Sequence, residues 1–300
     1  MTFLPVVVNP VAGGGRGRVP RERIEATAAT RGLEVEWWET EGPGHASELA
    51  ARAARDRVAV LAVWGGDGTY NEAARGLVGS ETALLALPGG TTSVLAYELG
   101  IPRQPERALL AQLDGERRAM AVARTDHDQL FLLMLSVGPD AVILANLPQL
   151  LKQRAGKLGV SWQACVELVR GGFPRFSVAT NGMECEASWC IVGKSRSYGG
   201  PYAATPAADP FAPEFDVVTL TRHGRRALVP FFFSIPSGRH LRMRGVRRTS
   251  TREVRLGGAG LPYQLDGDPA GILPVTARSS GDRLWVLVPG LSGDPRGQTR

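Results

Sequence analysis

The sequence predicts an α/β domain built on a parallel sheet, followed by a second domain that is α+β or all-β. Two observations carry this. In the first third, strand-like apolar runs alternate with helix-like segments of about ten residues, the pattern of βαβ units with right-handed crossovers. After about residue 118 the helical segments give way to short strand candidates in close succession.

The elements follow in order. "FLPVVVN" (Phe3–Asn9) reads as a strand, "RERIEATAATRG" (Arg21–Gly32) as a helix closed by its glycine, and "LEVEWWET" (Leu33–Thr40) as an alternating strand. "GHASELAARAARD" (Gly44–Asp56) is helical, and "RVAVLAVW" (Arg57–Trp64) is apolar throughout, as a strand buried on both faces should be. "YNEAARGL" (Tyr70–Leu77) is the next helix, followed by "TALLALP" and "TSVLAYELG". In the second half, "RAMAVARTDHDQLFLLMLSVG" reads as a hairpin around Asp126–Gln129, and strand candidates recur from "RFSVATNG" to "ILPVTARS". One helix, Gly159–Arg170, interrupts them. The expected division is 1–118, 119–290 and a polar tail, 291–300.

Composition narrows the class. A chain of 300 residues with 43% hydrophobic and 21% charged residues has the make-up of a folded globular protein, not a disordered one. Its net charge of +6, carried mainly by arginine, favours anionic partners. Cys165, Cys185 and Cys190 show no CxxC spacing, so neither a zinc site nor a disulfide framework is expected, and three buried thiols in a reducing cytoplasm is the reading. No signal peptide and no apolar run of about 20 residues is evident, so any membrane contact is expected to be peripheral.

Three glycine-rich turns fall after successive strands: "NPVAGGGRG" (Asn9–Gly17), "GGDGT" (Gly65–Thr69) and "PGGTT" (Pro88–Thr92). The amino terminus of a helix has unpaired N–H groups and a partial positive charge, and glycine lets backbone approach an anion closely. Ligands of open α/β sheets bind at this edge, so the pattern points to phosphate. Asp67 stands apart, because a carboxylate beside phosphate implies Mg²⁺ or a proton to be moved. Capping does not require it, since Thr69 and Glu72 read as a capping box for the following helix. Neither a Walker A sequence nor a GxGxxG dinucleotide fingerprint is present.

These residues resemble the diacylglycerol kinase catalytic-domain family, which includes bacterial lipid kinases, sphingosine kinases and ceramide kinases. The matching pieces run in order: "NPVAGGG", "TEGPGHA", "GGDGTYNEAARGL", "LPGGTTSVLAYELGIP", "AADP" (Ala207–Pro210) and "LDGD" (Leu265–Asp268). The resemblance implies a Rossmann-like nucleotide domain, a carboxyl-terminal β-sandwich, and phosphoryl transfer from Mg-ATP to a lipid hydroxyl of diacylglycerol or sphingoid type. It implies nucleotide contacts from Thr40, Gly65, Gly66, Asp67, Gly68, Thr69, Asn71, Glu72, Gly90 and Thr91, with Asn9 and Gly13 shaping the phosphate loop. Asp67 would help position Mg²⁺, Asp268 would be the general base with Asp266 beside it, and Asp209 would hold a structural Mg²⁺, with Glu214 the nearby acid that would replace the family's missing one.

The chain also departs from the family pattern. Ser93-Val94 stands where the family has Asn-Asp, Ala212-Pro213 stands where it has Asp-Gly, and "RAMAVAR" lacks a strand acid. Asp268 is one methylene shorter than the family's glutamate. Two other readings therefore stay open: a kinase of a soluble alcohol related to NAD kinases, and a nucleotide-binding protein without transfer activity.

His45 is expected near the cleft, and His127, His223 and His240 at the surface. One ring of Trp37-Trp38 should be core and the other helix-facing. "FFFSIP" (Phe231–Pro236) is either core or an apolar wall for acyl chains. "RHLRMRGVRR" (Arg239–Arg248) reads as a strand with one basic face. From that stripe Arg242, Arg244 and Arg247 are expected to meet anionic lipid. The expectation is a cytoplasmic protein at a membrane surface that does not bind nucleic acid, with a homodimer left open.

Overall fold

The computed structural model describes residues 2–12, 19–90, 93–146, 174–258 and 260–290. It divides into two compact units, one running to Ala121 and resuming at Asp282, the other Val122–Gly281. Two long strands, β5 (Glu116–Thr125) and β18 (Val275–Val288), run from one unit into the other.

In the first unit the elements are β1 (Thr2–Val8), α1 (Arg21–Ala29), β2 (Leu33–Glu39), α2 (His45–Arg55), β3 (Val60–Gly65), α3 (Asp67–Leu77), β4 (Ala83–Pro88), α4 (Val94–Glu98) and α5 (Pro105–Leu113). The strands lie in the order β2-β1-β3-β4-β18, each paired in parallel with its neighbours. The central strands are apolar throughout because helices cover both faces: Val6, Val7, Leu61–Val63 and Ala83–Leu87 are all buried. At the edge, β2 alternates instead. Trp38 is buried, whereas the half-buried Trp37 donates from Nε1 to Glu25 of α1 at 2.6 Å.

Helices α2 and α3 pack together; their buried residues are Ala46, Ala50 and Ala53 on α2 and include Ala73, Ala74 and Leu77 on α3. A Cβ on Gly76 would strike the backbone of Ser47 and Ala51, so this glycine sets their close approach. Helix α5, which the strand-and-helix reading passes over, begins with proline in its first turn. Its buried Gln112 side chain takes the N–H of Ala86 at 2.9 Å and gives to the Ala86 carbonyl at 2.8 Å, acting as a short strand partner for β4.

The second unit holds β6 (Leu130–Phe131), β7 (Met134–Val137), α6 (Pro139–Asn146), β8 (Phe176–Thr180), β9 (Met183–Ala187), β10 (Trp189–Gly193), β11 (Ser197–Tyr198), β12 (Tyr202–Ala203), β13 (Phe215–Leu220), α7 (Arg225–Ser234), β14 (Val246–Thr251), β15 (Glu253–Gly257), β16 (Pro262–Leu265) and β17 (Asp268–Ile272). One antiparallel sheet runs β14-β13-β10-β7-β16-β17; a second runs from the first half of β18 through β15 and β8 to β9. Their inner faces share a core of Phe131, Leu135, Phe176, Val192, Phe215 and Val254, which makes a β-sandwich. The outer face of the first sheet carries Trp189, Ile191 and Val218 and is roofed by Leu228 and Phe231 of α7, so β10 and β13 are buried on both sides.

Several expectations change. The run Arg239–Arg248 is not one strand: Arg239–Arg242 is a 3₁₀ turn, and β14 begins only at Val246, after Gly245 at φ +84°. Arginines spaced two apart satisfy a strand pattern locally, but a positive-φ glycine ends any continuous pairing. Cys190 is buried while Cys185 is half-buried, its strand β9 being mostly exposed. Cys165 and the helix expected over Gly159–Arg170 lie outside the described residues. His240 is not at the surface; it is fully buried, with Nε2 2.9 Å from the Ala204 carbonyl. Among the described residues, no helix is long and apolar enough to cross a membrane.

Candidate functional site

The glycine turns after β3 and β4 converge, with Asn9 at the end of β1 beside them; these three strands are neighbours in the sheet. The amides of Gly89 and Gly90 both donate to the Gly65 carbonyl, at 2.9 and 3.1 Å, and the Asn9 amide donates to Trp64 at 3.2 Å. The Asn9 side chain donates to the Thr69 hydroxyl at 3.1 Å and accepts from the Val11 amide at 3.1 Å. Thr40 joins the same edge through its amide, 2.8 Å from the Val8 carbonyl. Asn9, Thr40, Gly65, Gly66, Asp67, Gly68, Thr69 and Gly90 are therefore brought to one rim. Gly13 and Thr91 lie outside the described residues.

These glycines are needed for space rather than for unusual dihedrals, since Gly65, Gly66, Gly89 and Gly90 are not among the positive-φ glycines. A Cβ on Gly90 would come within 2.8 Å of Gly66 Cα, one on Gly65 within 2.6 Å of Thr69, and one on Gly89 within 2.6 Å of Trp64. Two turns thus pack backbone on backbone. Helix α3 starts at Asp67 with Gly66 as N-cap, and no side chain caps it. Its first-turn amides have no intrahelical acceptor, which suits an anion at this rim. The capping box expected from Thr69 and Glu72 is absent, because the helix begins three residues earlier than that cap requires. Thr69 and Asn71 are instead buried in it, with Asn71 accepting from Arg75 at 3.1 Å; Glu72 is half-buried.

Asp67 proves to be a cap after all, for a different helix. Its carboxylate accepts the amides of Val94 at 2.8 Å and Leu95 at 2.9 Å, the first two residues of α4. The Ser93 side chain makes no cap of its own and sits at φ +43°. A carboxylate at a phosphate-binding rim is the hard oxygen donor that Mg²⁺ takes, so the residue type at position 67 fits a cation arriving with phosphate. His45 turns to local work: its Nδ1 accepts the Glu41 amide at 3.0 Å at the start of α2.

In the second unit, "LDGD" is the two-residue turn of the β16–β17 hairpin. Asp266 and Gly267 have φ of +51° and +93°, the paired positive values that Asp-Gly supplies in a type I′ turn. The Asp266 carboxylate accepts the amides of Leu132 and Leu133 at 2.8 Å and of Met134 at 2.9 Å. It is a bracing residue. Asp268 is exposed, at the start of β17.

Asp209 and Glu214 do not fit a resident Mg²⁺. Asp209 accepts the Phe211 amide at 2.9 Å, and Glu214 pairs with Arg252 at 2.7 Å. Between them in charge stands Lys194, a fully buried lysine whose ammonium donates to the Ala212 carbonyl. Burial pulls its pKa down to about 8, against the opposing fields of Asp209 and Glu214. The loop carries its own cation. Among the described residues, no cluster of three His, Cys, Asp or Glu side chains is arranged to hold a metal.

Two groups escaped the sequence reading. Lys194 follows an apolar strand and gives no motif. Asp140, in "SVGPDA" at the start of α6, is buried and accepts the Tyr198 hydroxyl at 2.8 Å; burial raises its carboxyl above the ordinary range. The Gly-Pro-Asp step from strand into helix was the available signal.

The fold is thus a parallel α/β unit with glycine turns at one edge, followed by a β-sandwich unit. The diacylglycerol kinase catalytic domain model matches residues 4–125, and the YegS C-terminal NAD kinase beta sandwich-like domain model matches 133–288. The chain belongs to the diacylglycerol kinase catalytic-domain family, a family of phosphotransferases. It is 27% identical over 293 residues to a diacylglycerol kinase of Mycobacterium tuberculosis, covering 94% of each chain. It is 31% identical over 162 residues to the lipid kinase YegS of Escherichia coli, covering 53% of this chain and 54% of that one. A solved structure of a diacylglycerol kinase from Bacillus anthracis superposes with a TM-score of 0.72 at 17% identity, over 96% of this chain and 97% of that one, a likeness of fold.

Proposed function

We propose that this protein is an ATP-dependent lipid kinase that transfers the γ-phosphoryl group of Mg-ATP to a lipid hydroxyl, of diacylglycerol or sphingoid type. The observation that carries the reading is the uncapped first turn of α3, set among glycine turns with Asp67 fixed at its start. Phosphoryl transfer asks a protein mainly to position groups and neutralise charge. The α3 amides and the glycine turns would cradle the phosphates, and Asp67 would face the Mg²⁺ that accompanies them. Asp268 would accept the proton of the attacking hydroxyl, since Asp266 is held by three amides.

The test is γ-labelled ATP with bacterial total lipid extract, followed by identification of labelled products. Transfer to a lipid is expected, and Asp268→Asn should cut turnover by roughly 10²–10⁴ while sparing ATP affinity. Label only in a water-soluble product would favour the soluble-alcohol kinase. ATP binding without any transfer would favour a nucleotide-binding role, a reading supported by Ser93-Val94 standing where the family has an acid.

A further inference from the structure

We infer that the outer face of α7, together with the turn that follows it, is the surface by which this chain sits on an anionic bilayer. The inference rests on the lipid-kinase reading for its purpose, but on separate observations for its place. Residues 217–252 contain nine arginines and no acidic residue, so the chain's net +6 comes from this segment and all other residues together sum to −3. Two of the nine pair with acids, Arg248 with Asp216 at 2.7 Å and Arg252 with Glu214 at 2.7 Å. The others, Arg222, Arg225, Arg226, Arg239, Arg242, Arg244 and Arg247, have exposed side chains.

The apolar component is on the same helix. Of three consecutive phenylalanines, Phe231 is core, Phe232 stacks on Trp189 with ring planes 14° apart, and Phe233 is 63% exposed. Arg226, Pro230 and Phe233 are spaced i, i+4, i+7 and are all exposed, one stripe of α7 facing outward. An aromatic ring flanked by arginines matches the interface of a bilayer, where rings enter the acyl boundary and guanidinium groups meet anionic head groups. Nucleic acid would satisfy the charge but leave the Phe233 ring without a reason to face water.

The experiment is co-sedimentation of the full chain with phosphatidylcholine vesicles, with and without phosphatidylglycerol, at low and high salt. Wild type should sediment with the anionic vesicles and lose affinity as salt rises. Arg226→Gln/Arg242→Gln/Arg244→Gln should weaken binding about 10²-fold, about fivefold for each arginine. Phe233→Ala should weaken it about tenfold, with the same factor at high salt, because burial of a ring is not screened. Thermal unfolding of each variant checks that these exposed substitutions leave the fold intact. Equal binding to both vesicle types, no binding by wild type, unaltered binding by the variants, or a preference for duplex nucleic acid over vesicles would overturn the assignment. Labelled transfer from γ-labelled ATP is measured on the same vesicles doped with bacterial total lipid extract. Vesicle binding as described without labelled lipid would refute the kinase reading while leaving the docking face standing.

Discussion

Replacing Asp67 tests whether this carboxylate holds structure as well as phosphate chemistry. Asp67→Ala removes the acceptor for the amides of Val94 and Leu95, at 2.8 and 2.9 Å. Hydrogen bonds to a charged group contribute about 1.5–3 kcal/mol each, so the pair amounts to about 3 kcal/mol at the lower end. Helix α4 has only five residues and cannot persist by propensity alone, so the loss falls on the whole turn. For a domain of this size each kcal/mol moves the melting temperature by about 2–4 °C, giving a drop of about 6–12 °C. Asp67→Asn keeps one acceptor oxygen and should lose about half as much. Calorimetry and urea denaturation would measure this directly. The chemical role is read separately, as the ratio of ATP affinities with Mg²⁺ and with EDTA, taken well below the melting temperature. The ratio should collapse toward one in both variants. A melting temperature for Asp67→Ala within about 1 °C of wild type would refute the capping argument. An unchanged Mg²⁺ ratio would refute the metal role.

Gly68, exposed in the first turn of α3, should tolerate valine in the fold but not in function: Gly68→Val is expected to fold and to lose ATP binding by titration calorimetry. Wild-type thermal stability without nucleotide should be the same in EDTA as in Mg²⁺, because Lys194 serves the Asp209–Glu214 loop. Lys194→Met should destabilise by about 1–3 kcal/mol, leaving the Ala212 carbonyl without its donor. Asp140 has a folded pKa raised by burial, so the native state holds its proton more tightly than the unfolded chain. That contribution is greatest below about pH 4, the unfolded value, and is lost as pH rises through the raised folded value. Wild type should therefore lose stability relative to Asp140→Asn across that window, and parallel stability curves would contradict this.

Periodicity and turn chemistry are local, and what they govern was legible in the sequence alone. The all-apolar runs of β3 and β4, the alternation in β2 and the glycine turns after the first, third and fourth strands were enough for a parallel sheet with a phosphate edge. The ordered motifs pointed to the family. What the chain could not disclose was where polar side chains find partners far away in sequence. Asp67 reads as a site residue, yet only the approach of α4, some 27 residues on, shows that it is also a cap. Asp209 and Glu214 read as metal ligands until the end of β10 brings Lys194 to them. Three phenylalanines in a row are identical as a string, and only the packing of α7 on Trp189 decides that one is core, one stacks and one faces outward. Local preferences act over a few residues, whereas the pairing of a buried charge or the facing of a ring depends on which distant backbone the fold brings within a few ångströms.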